Sequence, residues 1–258
     1  MKKFILGLTL GLLLSGPALA GMVEKRGSYN LGSTDSQGVL VYDDSVTTKR
    51  PAVLMAPNWM DVTKGAVAKA KLLAGSKYVM FVADMYGVKN RPKGFKDARK
   101  SSGMLRKNNA LHRSRVNKAM DMLLDAGTKQ GVVDKSRVAA IGFCFGGDNV
   151  LEMARSGRNV KGVVTFHGSL NTNPKGANIK AKVLILHGAD DPAAPKAKRD
   201  ALEAELTAAK VDWQMVAFSG TVHSFTNPNA KRPARSMHNA KVTKRAYAMM
   251  NDFFAEIF

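Results

Sequence analysis

The chain has 258 residues, which is enough for one or two domains with a sizeable hydrophobic core. It contains a single cysteine, which excludes both a disulfide framework within the chain and a cysteine metal cluster. Its 40 Lys and Arg against 20 Asp and Glu give a formal charge of +20, which predicts attraction to polyanions such as lipid head groups, acidic polysaccharides or nucleic acid. Because no nucleic-acid-binding motif accompanies that charge, we favour a basic surface without a dedicated partner and expect no nucleic acid ligand.

The first twenty residues have the pattern of a secretory signal peptide. Two lysines precede an apolar stretch, 4–14, and small residues follow it. The apolar stretch is too short to favour a membrane span, although an uncleaved anchor is the alternative. We therefore expect removal of 1–20 and an exported, most simply periplasmic, protein that begins at Gly21 without a transmembrane helix. Loss of the two lysines would leave it a formal charge of +18.

Taken in order, the rest of the chain alternates predicted strands with predicted helices, and only 21–30 resists assignment. The predicted strands are 38–42, 51–56, 78–83, 137–141, 160–166, 182–186 and 213–218. The predicted helices are 61–74, 111–126, one that begins near Asp148, 198–210 and 242–258. This order predicts a single α/β domain over 21–258, with a doubly wound, mostly parallel sheet and helices on both faces.

The segment 89–107 interrupts this alternation. It contains glycine and carries eight basic residues against one acid, Asp97. Two interpretations are open: a mobile excursion over a site, or a solvated basic surface. We favour the solvated surface.

The stretch 136–149, SRVAAIGFCFGGDN, predicts a buried strand, a tight turn and a helix. Its G-x-C-x-G spacing is the nucleophile-elbow pattern with sulfur in place of oxygen. Such a turn would expose the side chain of Cys144 at a helix N-terminus, where unpaired N–H groups and the helix dipole favour thiolate over thiol. The alternative is a small buried cysteine beside a glycine-rich turn.

A nucleophilic cysteine needs a histidine to exchange protons and a carboxylate to orient that histidine. Cys144, Asp191 and His223 each follow a predicted strand, and their order along the chain is that of nucleophile, acid and base in α/β-hydrolases. Asp190 is the alternative acid. The alternatives for the base are two histidines at strand ends, crevice-lining or structural, and two on predicted helix or loop surfaces: His167, His187, His112 and His238.

At these residues the chain resembles the dienelactone hydrolase family of α/β-hydrolases, over about 51–254. The similar segments are PAVLMAPNWM at 51–60, ADMYG at 83–87, GFCFGG at 142–147, HGADDP at 187–192, HSFTNP at 223–228 and NAKVTKRAY at 239–247. The resemblance implies cleavage of a carboxylic ester, lactone or thioester through an acyl-enzyme, with Cys144 as nucleophile, Asp191 as acid and His223 as base. It implies no cofactor and no metal.

The resemblance also implies an oxyanion hole built from the backbone N–H groups of Phe145 and Trp59. It places Asn58 and Tyr86 at the substrate. Asn58 stands where dienelactone hydrolases have a glutamate that helps to activate the cysteine. Because asparagine cannot accept a proton, activation here would depend on His223 and the helix terminus.

Two other functions compete with hydrolysis of a small-molecule ester or lactone. The first is a catalytically weak or inactive hydrolase fold that binds an anionic component of the cell envelope through its basic surface. The second is a redox-sensing thiol, which ranks last because the chain has no second cysteine to resolve an oxidised one.

Overall fold

The computed structural model describes residues 21–173 and 178–258, so the predicted signal peptide, 1–20, lies outside the described residues. An eight-stranded sheet forms the centre of the molecule. In chain order its strands are β1 (Met22–Leu31), β2 (Thr34–Asp43), β3 (Arg50–Ala56), β4 (Val79–Val82), β5 (Val133–Phe143), β6 (Gly162–Phe166), β7 (Lys182–Gly188) and β8 (Trp213–Phe218). Across the sheet the order is β1-β2-β4-β3-β5-β6-β7-β8.

Strands β3 to β8 pair in parallel, whereas β1 and β2 form an antiparallel ribbon that joins the sheet beside β4. The helices are α1 (Lys64–Ala74), α2 (Phe95–Lys107), α3 (Asn109–Lys129), α4 (Phe145–Arg155), α5 (Lys196–Ala208) and α6 (Ala240–Ile257). A short hairpin of β9 (Lys231–Arg232) and β10 (Ser236–Met237) precedes α6.

Apolar side chains on both faces of the sheet explain why helices cover both. On one face α3, α4 and α5 bury residues such as Val116, Leu151 and Leu202, and on the other α1 and α6 bury Ala70 and Phe254. Strands β3 and β4 are buried along their whole length, as expected for parallel strands covered on both sides. The predicted doubly wound, mostly parallel fold is confirmed.

Three local predictions differ from the structure. Residues 21–30, which the sequence left unassigned, fall largely in the edge strand β1, whose exposed polar side chains hid its pattern. The elbow helix begins at Phe145 rather than near Asp148. His112, expected on a surface, is buried at 1% exposure because its ring stacks on that of Phe145.

The basic segment forms helix α2 after a short 3-10 turn, Val88–Asn90. Ala98, Ser102 and Leu105 are its buried residues, at the spacing of one helical face, and most of its charged side chains lie outward. The segment is therefore a solvated basic surface, as favoured from the sequence, built on a helix that the sequence pattern did not reveal.

The parallel strands place their carboxyl ends along one edge of the sheet, where ligand crevices of such folds lie. The loops after β3, β4, β5, β7 and β8 meet at this edge and carry the predicted site residues. Across 21–173 and 178–258, none of the helices combines the length and apolar character needed to cross a membrane.

Candidate active site

Cys144 lies at the turn between β5 and α4, in a backbone conformation that few residues adopt. Its φ of 56° and ψ of −117° place it in a strained region, as expected at a nucleophile elbow. A Cβ on Gly142 would lie 1.9 Å from the carbonyl oxygen of Gly146, and one on Gly146 would lie 2.0 Å from that of Ala56. Glycine at both positions therefore allows strand and helix to approach, and the Cys144 side chain remains partly exposed.

The structure brings Cys144, His223 and Asp191 into one hydrogen-bonded chain. His223 Nε2 lies 3.0 Å from Cys144 Sγ, and His223 Nδ1 lies 2.7 Å from Asp191 Oδ2. Asp191 is 2% exposed, and its other oxygen accepts a hydrogen bond from the Ala193 N–H. The alternative acid, Asp190, is exposed to solvent.

The surroundings of His223 favour its protonated form. Burial by itself lowers the pKa of His223, but the negative charge of Cys144 and the hydrogen bonds to Asp191 and Cys144 outweigh it and raise the pKa to about 10. His223 therefore holds a proton between the Asp191 carboxylate and the Cys144 sulfur. This is the position that a proton-transferring histidine needs beside a cysteine nucleophile.

The two backbone donors predicted for an oxyanion hole lie at the start of α4 and in the loop after β3. Phe145 is the first residue of α4, where helix N–H groups have no partner within the helix. Trp59 follows β3 in a loop whose start, at Ala56 and Pro57, lies against Gly146. Within the described residues, no hydrogen bond joins the N–H of Trp59 or Phe145 to another group, so both can donate to a ligand.

The side chain of Asn58 is used within its own loop. Its Oδ1 accepts a hydrogen bond of 2.9 Å from the Met60 N–H, and its carbonyl oxygen accepts one of 2.9 Å from Asp61. This is an Asx turn, which fixes the loop that carries Trp59. Asn58 thus shapes the loop after β3 in this structure.

Tyr86 lies in the loop after β4 with its ring stacked on Phe145, at 6.0 Å between centroids. It is 1% exposed, and among the described residues its hydroxyl has no hydrogen-bond partner. Burial, followed by the charges of Asp61 and Cys144, raises the pKa of Tyr86, so the hydroxyl stays a neutral donor. It is thus a buried donor without a partner among the described residues.

A polar chain behind Cys144 was not predicted from the sequence. The Cys144 N–H donates to His167 Nδ1 at 3.1 Å, and His167 Nε2 lies 2.8 Å from the hydroxyl of Thr226. Lys69 Nζ donates to the same hydroxyl at 3.0 Å. Burial, together with the charges of His223 and Lys69, lowers the pKa of His167 well below its usual value, so it is neutral and positions the backbone.

The other alternative bases lie apart from the sulfur. His187 is fully buried at the end of β7, and burial lowers its pKa to about 4. His112 packs on Phe145, and His238 lies in the loop before α6. The position of His167 after its strand was visible in the sequence, but its partner Lys69 on α1 carried no signal.

A second group that the sequence did not predict joins the loop of Trp59 to the loop of Tyr86. Asp61, with a φ of 64°, accepts a hydrogen bond from Met85 and lies against the buried Asp84. Asp84 accepts hydrogen bonds from the N–H groups of Tyr86 and Gly87. Burial, followed by the charge of Asp84, raises the pKa of Asp61 well above its usual range, so a protonated Asp61 can donate to its neighbour.

A polar pocket of about 340 Å³ lies beside α4, next to the elbow. Its carboxylates are paired with arginines, as in Arg106 Nε to Asp148 at 2.9 Å, and Arg113 holds Glu152 at 2.8 Å. Over the described ranges, no three or more His, Cys, Asp or Glu side chains are grouped so as to hold a metal ion.

Comparison with solved structures gives close matches over nearly the whole chain. A dienelactone hydrolase-like promiscuous phosphotriesterase, P91, from metagenomic libraries is 32% identical, with a TM-score of 0.85, covering 92% of this chain and 99% of P91. The structure of m3DLH is 33% identical, with a TM-score of 0.86 and the same coverage. A dienelactone hydrolase from Anabaena variabilis, 18% identical with a TM-score of 0.68, covers 92% of this chain and 99% of its own and shares the fold.

Sequence comparison agrees. An uncharacterized protein from Caenorhabditis elegans is 29% identical over 146 residues, which is 54% of this chain and 92% of that protein. The profile of the dienelactone hydrolase family matches residues 37–258. The chain therefore belongs to the dienelactone hydrolase family, whose members are hydrolases acting on ester bonds.

Proposed function

We propose that this protein cleaves carboxylic esters, lactones or thioesters through an acyl-enzyme on Cys144. The observation that carries the proposal is the hydrogen-bonded chain from the Cys144 sulfur through His223 to Asp191, with distances of 3.0 and 2.7 Å. A nucleophile, a proton-transferring base and an orienting carboxylate are the three parts that acyl transfer requires.

The arrangement supports a two-step reaction. The Cys144 thiolate attacks the acyl carbonyl, and the N–H groups of Phe145 and Trp59 stabilise the resulting oxyanion. Collapse breaks the ester C–O bond, and the leaving oxygen takes the proton of the His223 imidazolium. Water then attacks the thioester and gives a proton to His223, which releases the carboxylic acid and restores the ion pair.

The role of Asn58 follows from its hydrogen bond to Met60. An amide held in a turn cannot take up a proton, so we assign activation of the sulfur to His223 and to the N-terminus of α4. The site would therefore be active without a substrate-triggered carboxylate. Tyr86, with its unbonded hydroxyl, is the donor that we assign to a polar group of the substrate.

The similarity to P91 adds phosphotriesters as a second substrate class to test. A phosphotriester presents an electrophilic phosphorus and a P=O oxygen in place of the acyl carbonyl. The same thiolate and backbone donors could therefore act on it. We propose this class as subordinate to carboxylic esters.

We also propose that the protein is exported after removal of 1–20, on the basis of the sequence pattern of that segment. The competing function, binding of an anionic envelope component without turnover, is supported by the cationic outer side of α2. Substitution of Cys144 should abolish hydrolysis, whereas it should leave the binding of an envelope component unchanged.

The decisive experiment measures hydrolysis of p-nitrophenyl esters, small lactones and a phosphotriester by the wild-type protein and by Cys144→Ser and His223→Ala. Loss of the general base is expected to lower kcat by on the order of 10²- to 10⁴-fold. His238→Ala is the matched control, because this histidine lies in a neighbouring loop outside the hydrogen-bonded chain. Activity retained in both variants would refute the assignment, and an inert wild-type protein with an unreactive Cys144 would favour the binding function.

A further inference from the structure

Two segments at the carboxyl edge of the sheet form a strongly basic surface, which we call the mouth surface: 88–107 and 231–237. Apart from Arg106, which pairs with Asp148, their exposed cations are Lys89, Lys93, Lys96, Arg99, Lys100, Lys107, Lys231, Arg232 and Arg235. Asp97 is the single acidic residue in the two segments. This concentration of one sign of charge makes a field that attracts anions to this side of the molecule.

The mouth surface also exposes apolar side chains. Val88, Phe95, Met104 and Met237 are 45%, 60%, 45% and 43% exposed, and only one other large hydrophobic residue of the described chain, Leu72, is similarly exposed. Large apolar side chains set among cations are typical of surfaces that lie in a membrane interface. A polysaccharide or nucleic acid would use the cations but would leave the aliphatic side chains of Val88, Met104 and Met237 in water.

The same segments border the catalytic crevice. The ring of Phe95 stacks on that of Trp59 at 5.9 Å between centroids, and the Arg232 guanidinium lies 5.7 Å from the Phe95 ring. The Met237 N–H donates to the carbonyl oxygen of His223 at 3.1 Å. Phe95, Arg232 and Met237 therefore lie beside Trp59 and His223, so whatever binds these residues lies next to the site.

The arrangement of α2 supports an outward-facing role. Ala98, Ser102 and Leu105 face the protein, and Lys96, Lys100 and Met104 are exposed. A salt bridge between Arg106 and Asp148 anchors the C-terminal end of the helix. The helix thus presents a fixed array of cations and apolar side chains, in contrast to a mobile basic loop.

We propose that the mouth surface docks on an anionic phospholipid bilayer and brings the crevice against the lipid–water interface. The cations would contact the head groups, and Phe95, Met104 and Met237 would enter the interface. Resting on the proposed function, the substrate would then be an ester of an amphiphile that partitions into the bilayer. The docking itself depends only on the surface.

The test is co-sedimentation of the protein with vesicles of phosphatidylcholine alone and of phosphatidylcholine mixed with phosphatidylglycerol. We expect binding to the anionic vesicles that weakens as salt is raised. Lys96→Glu with Lys100→Glu should lower the partition coefficient by on the order of tenfold or more. Lys135→Glu with Lys161→Glu, an equal change of charge at exposed positions near the amino ends of β5 and β6, should have a much smaller effect.

Met104→Ser tests the apolar part without changing charge. It should weaken binding most clearly at high salt, where the electrostatic attraction is screened. Unchanged vesicle binding in Met104→Ser, together with equal or stronger retention on heparin, would overturn the proposal in favour of a soluble polyanion. Equal losses in the two double variants would also overturn it, because net charge alone would then explain the binding.

Hydrolysis of a soluble p-nitrophenyl ester, measured in parallel, separates this proposal from the catalytic one. Lys96 and Lys100 lie outside the hydrogen-bonded chain of Cys144, so the double variant should keep soluble-ester activity. Vesicle binding without any hydrolysis would contradict the catalytic proposal and leave docking intact. Hydrolysis without binding to anionic vesicles would contradict docking and leave the catalytic proposal intact.

Discussion

The buried side of the Cys144 turn and the mouth surface above it differ in how their polar groups are satisfied. Behind the turn, the Cys144 N–H, His167 and Thr226 form one continuous chain of hydrogen bonds inside the protein. On the mouth surface, Lys96 and Arg99 face solvent. The buried side fixes the geometry of the Cys144 turn, whereas the exposed side faces solvent, so substitutions in the two regions should affect different measurements.

Asp191→Asn should produce the largest effect. The whole of that effect should be a loss of catalytic activity. An amide would favour the wrong tautomer of His223, and the equivalent change in serine proteases lowers kcat by about 10⁴-fold. Steady-state kinetics on a soluble ester would measure it. Asp190→Asn, at the exposed neighbouring carboxylate, is the control and should leave kcat within about twofold of wild type, since it lies outside the triad.

Gly146→Ala should damage the buried side through packing. The added Cβ would lie 2.0 Å from the carbonyl oxygen of Ala56 and 2.6 Å from that of Pro57, so β3 and α4 must separate. We expect destabilisation of about 3 kcal/mol or more, at the upper end of overpacking effects, together with loss of activity. Urea denaturation would measure the first, and native-like stability would contradict the close approach described here.

The pair of His223 and Cys144 should make stability depend on pH. Because the folded-state pKa of His223, about 10, is raised above its ordinary value, the contribution is complete below about pH 6.5 and is lost as the pH rises through about 10. The free energy of unfolding should therefore fall by on the order of 1–3 kcal/mol more in wild type than in Cys144→Ala between pH 7 and 10.5. Parallel curves for the two proteins would rule out the pair.

Gly103→Ala should have the smallest effect and the opposite sign. Gly103 lies within α2, and no heavy atom is within 4 Å of the position that a Cβ would take. Alanine in an exposed helix is more favourable than glycine by about 1 kcal/mol. A small rise in Tm with unchanged soluble-ester kinetics would sharpen the contrast with Gly146→Ala, and a fall in Tm would indicate contacts of α2 that the structure lacks.

The parallel strands and the elbow could be predicted because their signals are local. Buried strands appear as continuous apolar runs, and the spacing of Gly142, Cys144 and Gly146 is a constraint of the turn itself. The positions of Asp191 and His223 after their strands followed from chain order. The structure places His223 beside the sulfur and Asp191 on the far side of the His223 ring.

The supporting groups could not be predicted because they come from distant parts of the chain. Lys69 on α1 reaches Thr226, and Asp61 lies against Asp84, although neither pair forms a sequence pattern. Helix α2 was missed because its apolar positions are few and its one glycine and two serines weaken the helical signal. The edge strand β1 was missed for a similar reason, since its polar residues lie on a ribbon that only β2 pairs.

The arrangement of Asn58 has a cost in chemical durability. If the sulfur is an anion before substrate binds, peroxide can oxidise it and electrophiles can alkylate it while the site is empty. The chain has no second cysteine to trap a sulfenic acid as an internal disulfide. Continued oxidation to the sulfinic acid would therefore inactivate the protein irreversibly. The half-life of its activity in air should lengthen when a reducing thiol is present or when a bound substrate analogue covers Cys144.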